Sequence, residues 1–119
     1  MPPAVALNDH KAVKDRSGID PNVVEDVCLG NVLHPSASYV ARAAVLAAGF
    51  PVTTAASVAS RWCSSGLLAT QQIANQILAG SIDCGIAIGA ESMSTNPDDG
   101  APKLSEQAMQ NDLVKARPS

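Results

Sequence analysis

The segment Ile82-Asp83-Cys84-Gly85-Ile86-Ala87-Ile88-Gly89-Ala90 constrains the fold more than any other part of this 119-residue chain. Large aliphatic side chains alternate with glycine, alanine and cysteine, and only Asp83 is charged. A strand of this kind is most simply buried on both faces, with helices packed close against its glycines. Two further runs fit the same sheet. Pro51 opens Val52 to Ala59, rich in β-branched and small residues, and Val24 to Leu29 is closed by Gly30-Asn31.

Helices are predicted between these strands. One runs from about Tyr39 to Ala48, with Ser36 or Ser38 as its cap and Gly49 at its end. Another runs from about Ser64 to Ala79 and stops at Gly80. Its apolar periodicity places Leu67, Thr70, Ala74 and Ile77 on one stripe, bordered by Leu68 and Gln71. Strand, helix, strand, helix, strand is the order of right-handed crossovers in a parallel sheet, so the class is α/β, a mostly parallel sheet with flanking helices.

The chain divides into three parts. Residues 1–18 are weakly patterned, with a possible helix from Ala4 to Arg16 stopped by Gly18. Residues 19–92 form the α/β core. Residues 93–119 turn polar at Asn96-Pro97-Asp98-Asp99-Gly100 and end in a surface helix around Ser105 to Lys115. Charged residues are 16% and apolar residues 46%, a globular balance, and one Trp, one Tyr and one Phe leave the core to aliphatic side chains.

A net charge of −3 gives no basic footprint for nucleic acid or an anionic membrane surface. No apolar run approaches the ~20 residues of a membrane span. Met1-Pro2-Pro3-Ala4 is unlike a secretory signal, and Ala116-Arg117-Pro118-Ser119 is unlike the Ser-Lys-Leu peroxisomal address. Three cysteines without framework or metal-ligand spacing imply reduced thiols inside the cell and no metal site.

Ligands of a parallel sheet meet the loops at the carboxyl ends of its strands. Cys63 occupies such a loop, between the strand ending near Ser60 and the helix starting near Ser64. Unpaired N–H groups and the helix dipole there favour a thiolate, Arg61 adds positive charge, and Ser64, Ser65 and Gly66 leave room for an acyl group. The alternative is a small buried cysteine. Cys28 and Cys84 fall inside strands with no charge or helix end beside them and are expected to fill the core. His10 is expected in solvent. His34 and Glu91 fall on the same sheet edge as Cys63. His34 is read as structural or solvated and Glu91 as a local cap or pair, while Asp98-Asp99 is a turn. The glycines form no dinucleotide fingerprint.

Ser60-Arg61-Trp62-Cys63-Ser64-Ser65-Gly66-Leu67 resembles the active-site segment of thiolases, usually Asn-Arg-Gln-Cys-Ser-Ser-Gly-Leu. Glu25 to Leu33 is similar to the family's second strand and its exit, Ala41 to Pro51 to the following helix and turn, and Gly80 to Ser94 to its fourth-strand signature. The likeness covers about residues 15–119 and is nearest to the N-terminal half of peroxisomal 3-ketoacyl-CoA thiolases.

The resemblance implies an acyltransferase of fatty acid β-oxidation. The cysteine matching Cys63 attacks the keto carbon of a 3-ketoacyl-CoA, releases acetyl-CoA and holds the shortened acyl chain as a thioester until a second CoA removes it. The backbone N–H of Cys63 helps to bind the thioester oxygen. Coenzyme A is a substrate and no cofactor is implied. Acyl-CoA and CoA are the small-molecule partners, and a homodimer is implied, with the strand matching Val52–Ala59 at the interface. Peroxisomal residence follows from the likeness alone.

Several family features are missing from these residues. The base histidine and second cysteine, in Gly-His-Pro and Cys-Ile-Gly contexts, and an Asn-Glu-Ala-Phe motif do not occur. The family's first strand, expected at the centre of its sheet, has only Pro2–Ala6 as a poor counterpart, so an incomplete half-fold is expected. Locally, Ser60 and Trp62 replace Asn and Gln, and Ser36 and Ser38 stand where glycines follow His-Pro. The expectation is therefore a truncated thiolase with little turnover on its own. The alternatives are a non-catalytic chain associated with an intact thiolase subunit, or a simplified thioesterase with His34 as base.

Overall fold

In the computed structural model, residues 3–99 and 105–112 are described, without the side chains of residues 3–5. All three predicted strands form, each only five residues long: β1 (Asp26–Gly30), β2 (Ala55–Ala59) and β3 (Gly85–Gly89). They pair in parallel in the order β2-β1-β3, and β1 matches both neighbours residue for residue. Cys28 lies opposite Ser57 and Ala87, and Gly30 lies opposite Ala59 and Gly89. The carboxyl ends of all three strands therefore reach one edge together.

The apolar runs begin earlier than the strands because their first residues serve the turns. Pro21–Val23 form a 3-10 turn capped by Asp20, whose side chain accepts the Asn22 N–H at 3.0 Å. The Glu25 carboxylate accepts the N–H groups of Asp83 (2.6 Å) and Cys84 (3.3 Å). Cys84 thus lies just outside β3, half-buried and beside a carboxylate. This corrects the expectation of an uncharged position inside the strand. Thr54 is fully buried and donates its hydroxyl to the Val24 carbonyl at 2.7 Å.

Among the described strands β1 is central, and its ladders to both sides are unbroken. Residues 3–6 of the segment named as the poor counterpart of the family's first strand belong to α1 (Pro3–Ser17). α2 (Ala37–Ala47) lies between α1 and the sheet's first face, and α3 (Ser65–Leu78) covers the second face.

Period-two alternation sorts the strand side chains between these layers. Val27, Leu29, Ile86 and Ile88 join Val40, Ala41, Ala44 and Val45 of α2 in the larger core. Cys28, Ala59 and Ala87 face Ala69 and Ile73 of α3 in the smaller one. α1 packs on α2, so Ala6 and His10, one turn apart on its inner side, are both fully buried. His10 is thus not in solvent as expected. Its Nδ1 donates to the Ala6 carbonyl, and Nε2 has no hydrogen-bond partner among the described residues.

α3 turns a different face to the sheet from the one its periodicity suggests. Ser65, Ala69 and Ile73 are buried, whereas Leu67 is 72% exposed and Thr70, Ala74 and Ile77 also face outward. The sheet's second face is built from small residues, so a slender helical stripe is what fits it. Gly80 then ends the helix at φ +76°, where a side chain would be strained. The predicted surface helix is a single turn, α4 (Glu106–Met109), with Ser105 capping the Ala108 N–H at 3.2 Å. Its predicted end at Lys115 lies outside the described residues. Among the described residues, no helix is long and apolar enough to cross a membrane.

Candidate active site

Two overlapping turns carry the chain from β2 into α3. The Ser64 N–H donates to the Arg61 carbonyl and the Ser65 N–H to the Trp62 carbonyl, both at 3.1 Å. The Ser65 hydroxyl locks them, accepting the Arg61 N–H at 2.7 Å and donating to the Trp62 carbonyl at 2.6 Å. Trp62 is forced to φ +50°, the left-handed region, at a cost of about 1–3 kcal/mol for a residue with a side chain. Cys63 follows, exposed, with Ser64 capping α3 by its position only. Its own N–H is spent on neither turn.

The sulfur therefore sits where the sequence puts it, at the amino end of a helix whose first N–H groups lack intrahelical acceptors. Close packing fixes that helix end on the sheet. A Cβ at Gly30 would lie 2.6 Å from the Ser65 carbonyl carbon, and one at Gly89 would meet the Gly66 Cα at 3.4 Å. The ends of β1 and β3 and the start of α3 thus surround one open cleft of about 490 Å³. Cys63, Trp62, Leu33, Glu91 and Met93 all line it.

Glu91 braces the far wall. One carboxylate oxygen accepts the Val32 (2.8 Å) and Leu33 (3.3 Å) N–H groups, and the other accepts the Asn31 side-chain amide at 3.1 Å. The local-pairing role expected of Glu91 is what these bonds describe. Asn31, buried, also donates to the Ala90 carbonyl and accepts the His34 N–H at 3.1 Å. His34 Nδ1 accepts the Ser36 N–H at 3.0 Å, and His34 does not line the cleft. No histidine does.

Cys28 is buried and donates its thiol to the Gln72 side-chain oxygen at 3.3 Å. Burial pushes this thiol above its ordinary range. The Asp26 charge adds to the rise, and the Ser57 hydroxyl partly opposes it. Of the three cysteines, only Cys63 is exposed and in the cleft. The residues alone gave Gly30-Asn31 only as the close of a strand and Ser65 only as a small neighbour of Cys63, not the hydrogen-bonding roles of Asn31 and Ser65. The glycine-asparagine exit from a strand was the available signal for Gly30 and Asn31.

The family described as "Thiolase, N-terminal domain" matches residues 5–116. This chain belongs to the thiolase family. Its 82 residues most alike to 3-ketoacyl-CoA thiolase A, peroxisomal, of Candida tropicalis are 54% identical, covering 68% of this chain and 20% of that protein. The dimeric peroxisomal thiolase of Saccharomyces cerevisiae superposes with a TM-score of 0.82 at 37% identity, over 93% of this chain and 30% of that one. A second structure, peroxisomal 3-ketoacyl-CoA thiolase of S. cerevisiae, gives 0.73 at 40% identity, over 81% and 29%. It is described as five layered, A-B-A-B-A, from two core domains of identical topology. This thiolase-family chain spans about a fifth of the length of the curated relatives it matches.

Proposed function

We propose that this chain carries the acyl-accepting cysteine of a 3-ketoacyl-CoA thiolase. The observation behind this reading is the exposed Cys63 at the amino end of α3, in a cleft where α3 is packed backbone to backbone on β1. In this mechanism the Cys63 sulfur adds to the keto carbon, and the developing oxyanion is met by the Cys63 N–H. The C–C bond then breaks. The electron pair leaves with the acetyl-CoA carbanion, which takes a proton, and the shortened acyl chain stays on sulfur. The thiol of a second CoA displaces it. Coenzyme A serves as substrate throughout, and no resident cofactor is invoked.

The base histidine and second cysteine of this mechanism are not in the cleft: no histidine lines it, Cys28 and Cys84 do not reach it, and Glu91 is held by three N–H donors. General acid–base help is worth ~10²–10⁴-fold, so these 119 residues alone turn over negligibly. The missing groups come from a second core domain, in the remainder of a longer chain or in an associated thiolase subunit. The outward stripe Leu67, Ala74 and Ile77 is the surface that such a domain covers, and the outer edge of β2 is the surface for a homodimer. The peroxisomal relatives support peroxisomal residence and a place in β-oxidation.

The lack of a cleft histidine equally favours the second reading, a non-catalytic thiolase-like chain that pairs with an intact subunit. Incubation with acetoacetyl-CoA followed by peptide mass spectrometry separates the two. Acetyl on Cys63, with Cys28 and Cys84 unmodified, is the result expected of an acyl carrier. A Cys63 no more acetylated than Cys84 refutes that role and leaves the non-catalytic reading.

A further inference from the structure

Trp62 is the chain's only tryptophan, it is 75% exposed, and it belongs to neither core. The left-handed backbone of Trp62 costs stability, and the exposed side chain gains no burial in a core to offset that cost. Trp62 lines the same cleft as Cys63, its immediate neighbour in sequence. Met93, 64% exposed, and Val32 and Leu33 supply further apolar lining. The Ser65 hydroxyl holds the turn that carries Trp62 from both sides, so its backbone is fixed relative to α3.

We propose that Trp62 is a specificity-determining residue, an apolar wall that packs against the chain of an acyl group carried on Cys63 and favours chains of several carbons over acetyl. Met93 is the other mobile-length apolar side chain available to the same group, as a thioether adapts to chains of different shape. The preference rests on the acyl-carrier reading of Cys63. The wall itself can be tested without that reading, because any thiol reagent with an alkyl tail probes it.

The experiment compares N-ethylmaleimide with N-hexylmaleimide on the folded chain. In each case the Cys63 sulfur adds to the ring double bond and the adjacent ring carbon takes the proton. The rate ratio, hexyl over ethyl, is measured at Cys63 for wild type, Trp62→Phe and Trp62→Gln. Wild type favours hexyl, Trp62→Phe keeps most of the preference, and Trp62→Gln loses roughly fivefold, the factor for about 40 Å² of apolar surface leaving water. A purely structural role slows both reagents alike and leaves the ratio unmoved. As the sole tryptophan, Trp62 also reports directly: its emission shifts to the blue with the hexyl adduct and less with the ethyl one.

A ratio equal in wild type and Trp62→Gln, or emission indifferent to tail length, overturns the wall. A parallel arm uses acetyl-CoA and hexanoyl-CoA as acyl donors. Acylation of Cys63 with no dependence on residue 62 removes the specificity role and leaves the acyl carrier standing. A Trp62-dependent maleimide ratio with no acylation at all leaves the apolar wall standing and removes the acyl carrier, and the acyl preference with it.

Discussion

Gly30 and Ser65 meet backbone to backbone: a methyl group on Gly30 would lie 2.6 Å from the Ser65 carbonyl carbon and 2.7 Å from the Gly66 nitrogen. Neither partner can withdraw, since one is a paired strand and the other a helix start. Gly30→Ala is expected to push α3 off the sheet and to cost about 1–3 kcal/mol. Gly66→Ala, with its nearest contact at 3.8 Å and a helical backbone, stays within about 1 kcal/mol of wild type. Urea unfolding of both variants checks this. Equal stabilities for the two would mean that the close seat of α3 does not exist.

The orientation of α3 gives a second prediction. Ile73 is 6% exposed and Leu67 is 72% exposed, although Leu67 is on the stripe that the periodicity favours. Ile73→Ala is expected to destabilise the chain by about 2–4 kcal/mol through the cavity it leaves. Leu67→Ala should change stability by no more than ~0.5 kcal/mol. The opposite order in thermal or urea unfolding would show the helix rotated.

Cys28 gives a pH dependence whose sign follows from its burial. Its native thiol is held above the ordinary value of 9.0, so above that pH the unfolded chain releases a proton that the folded chain keeps. Its contribution to stability is therefore complete below pH 9.0 and is lost as pH rises toward the native value. Other groups titrate there too, so the measurement is the difference in unfolding free energy between wild type and Cys28→Ala across alkaline pH. A difference that does not decline with rising pH contradicts the assignment.

Glu91 as a brace differs from Glu91 as a base in what its removal does. Glu91→Ala leaves the N–H groups of Val32 and Leu33 and the Asn31 amide without their acceptor, at an expected cost of about 1–3 kcal/mol. Alkylation of Cys63 in the folded variant should keep the pH profile of the wild type. A profile that loses an inflection on substitution would instead assign Glu91 a proton-transfer role.

The strands, the crossover helices and the loop bearing Cys63 were all legible in the residues, because each depends on neighbours within a few positions. Alternation in Ile82–Ala90, the stop at Gly80 and the position of Cys63 before a helix are local signals. His10 and Cys84 were not readable in the same way. His10 is buried because α1 lies on α2, and Cys84 meets Glu25 across the sheet's other end, contacts between segments far apart in the chain.

Local pattern alone thus determined that a parallel α/β unit forms and that a cysteine stands at its carboxyl edge. Tertiary packing decided which stripe of α3 is buried, since helical periodicity offers two stripes and only the small-residue face of the sheet selects the slender one. It also decided that Glu91 is held by the Asn31–Leu33 loop and that Trp62 lines the cleft, because both depend on where strand ends and helix start come together in space.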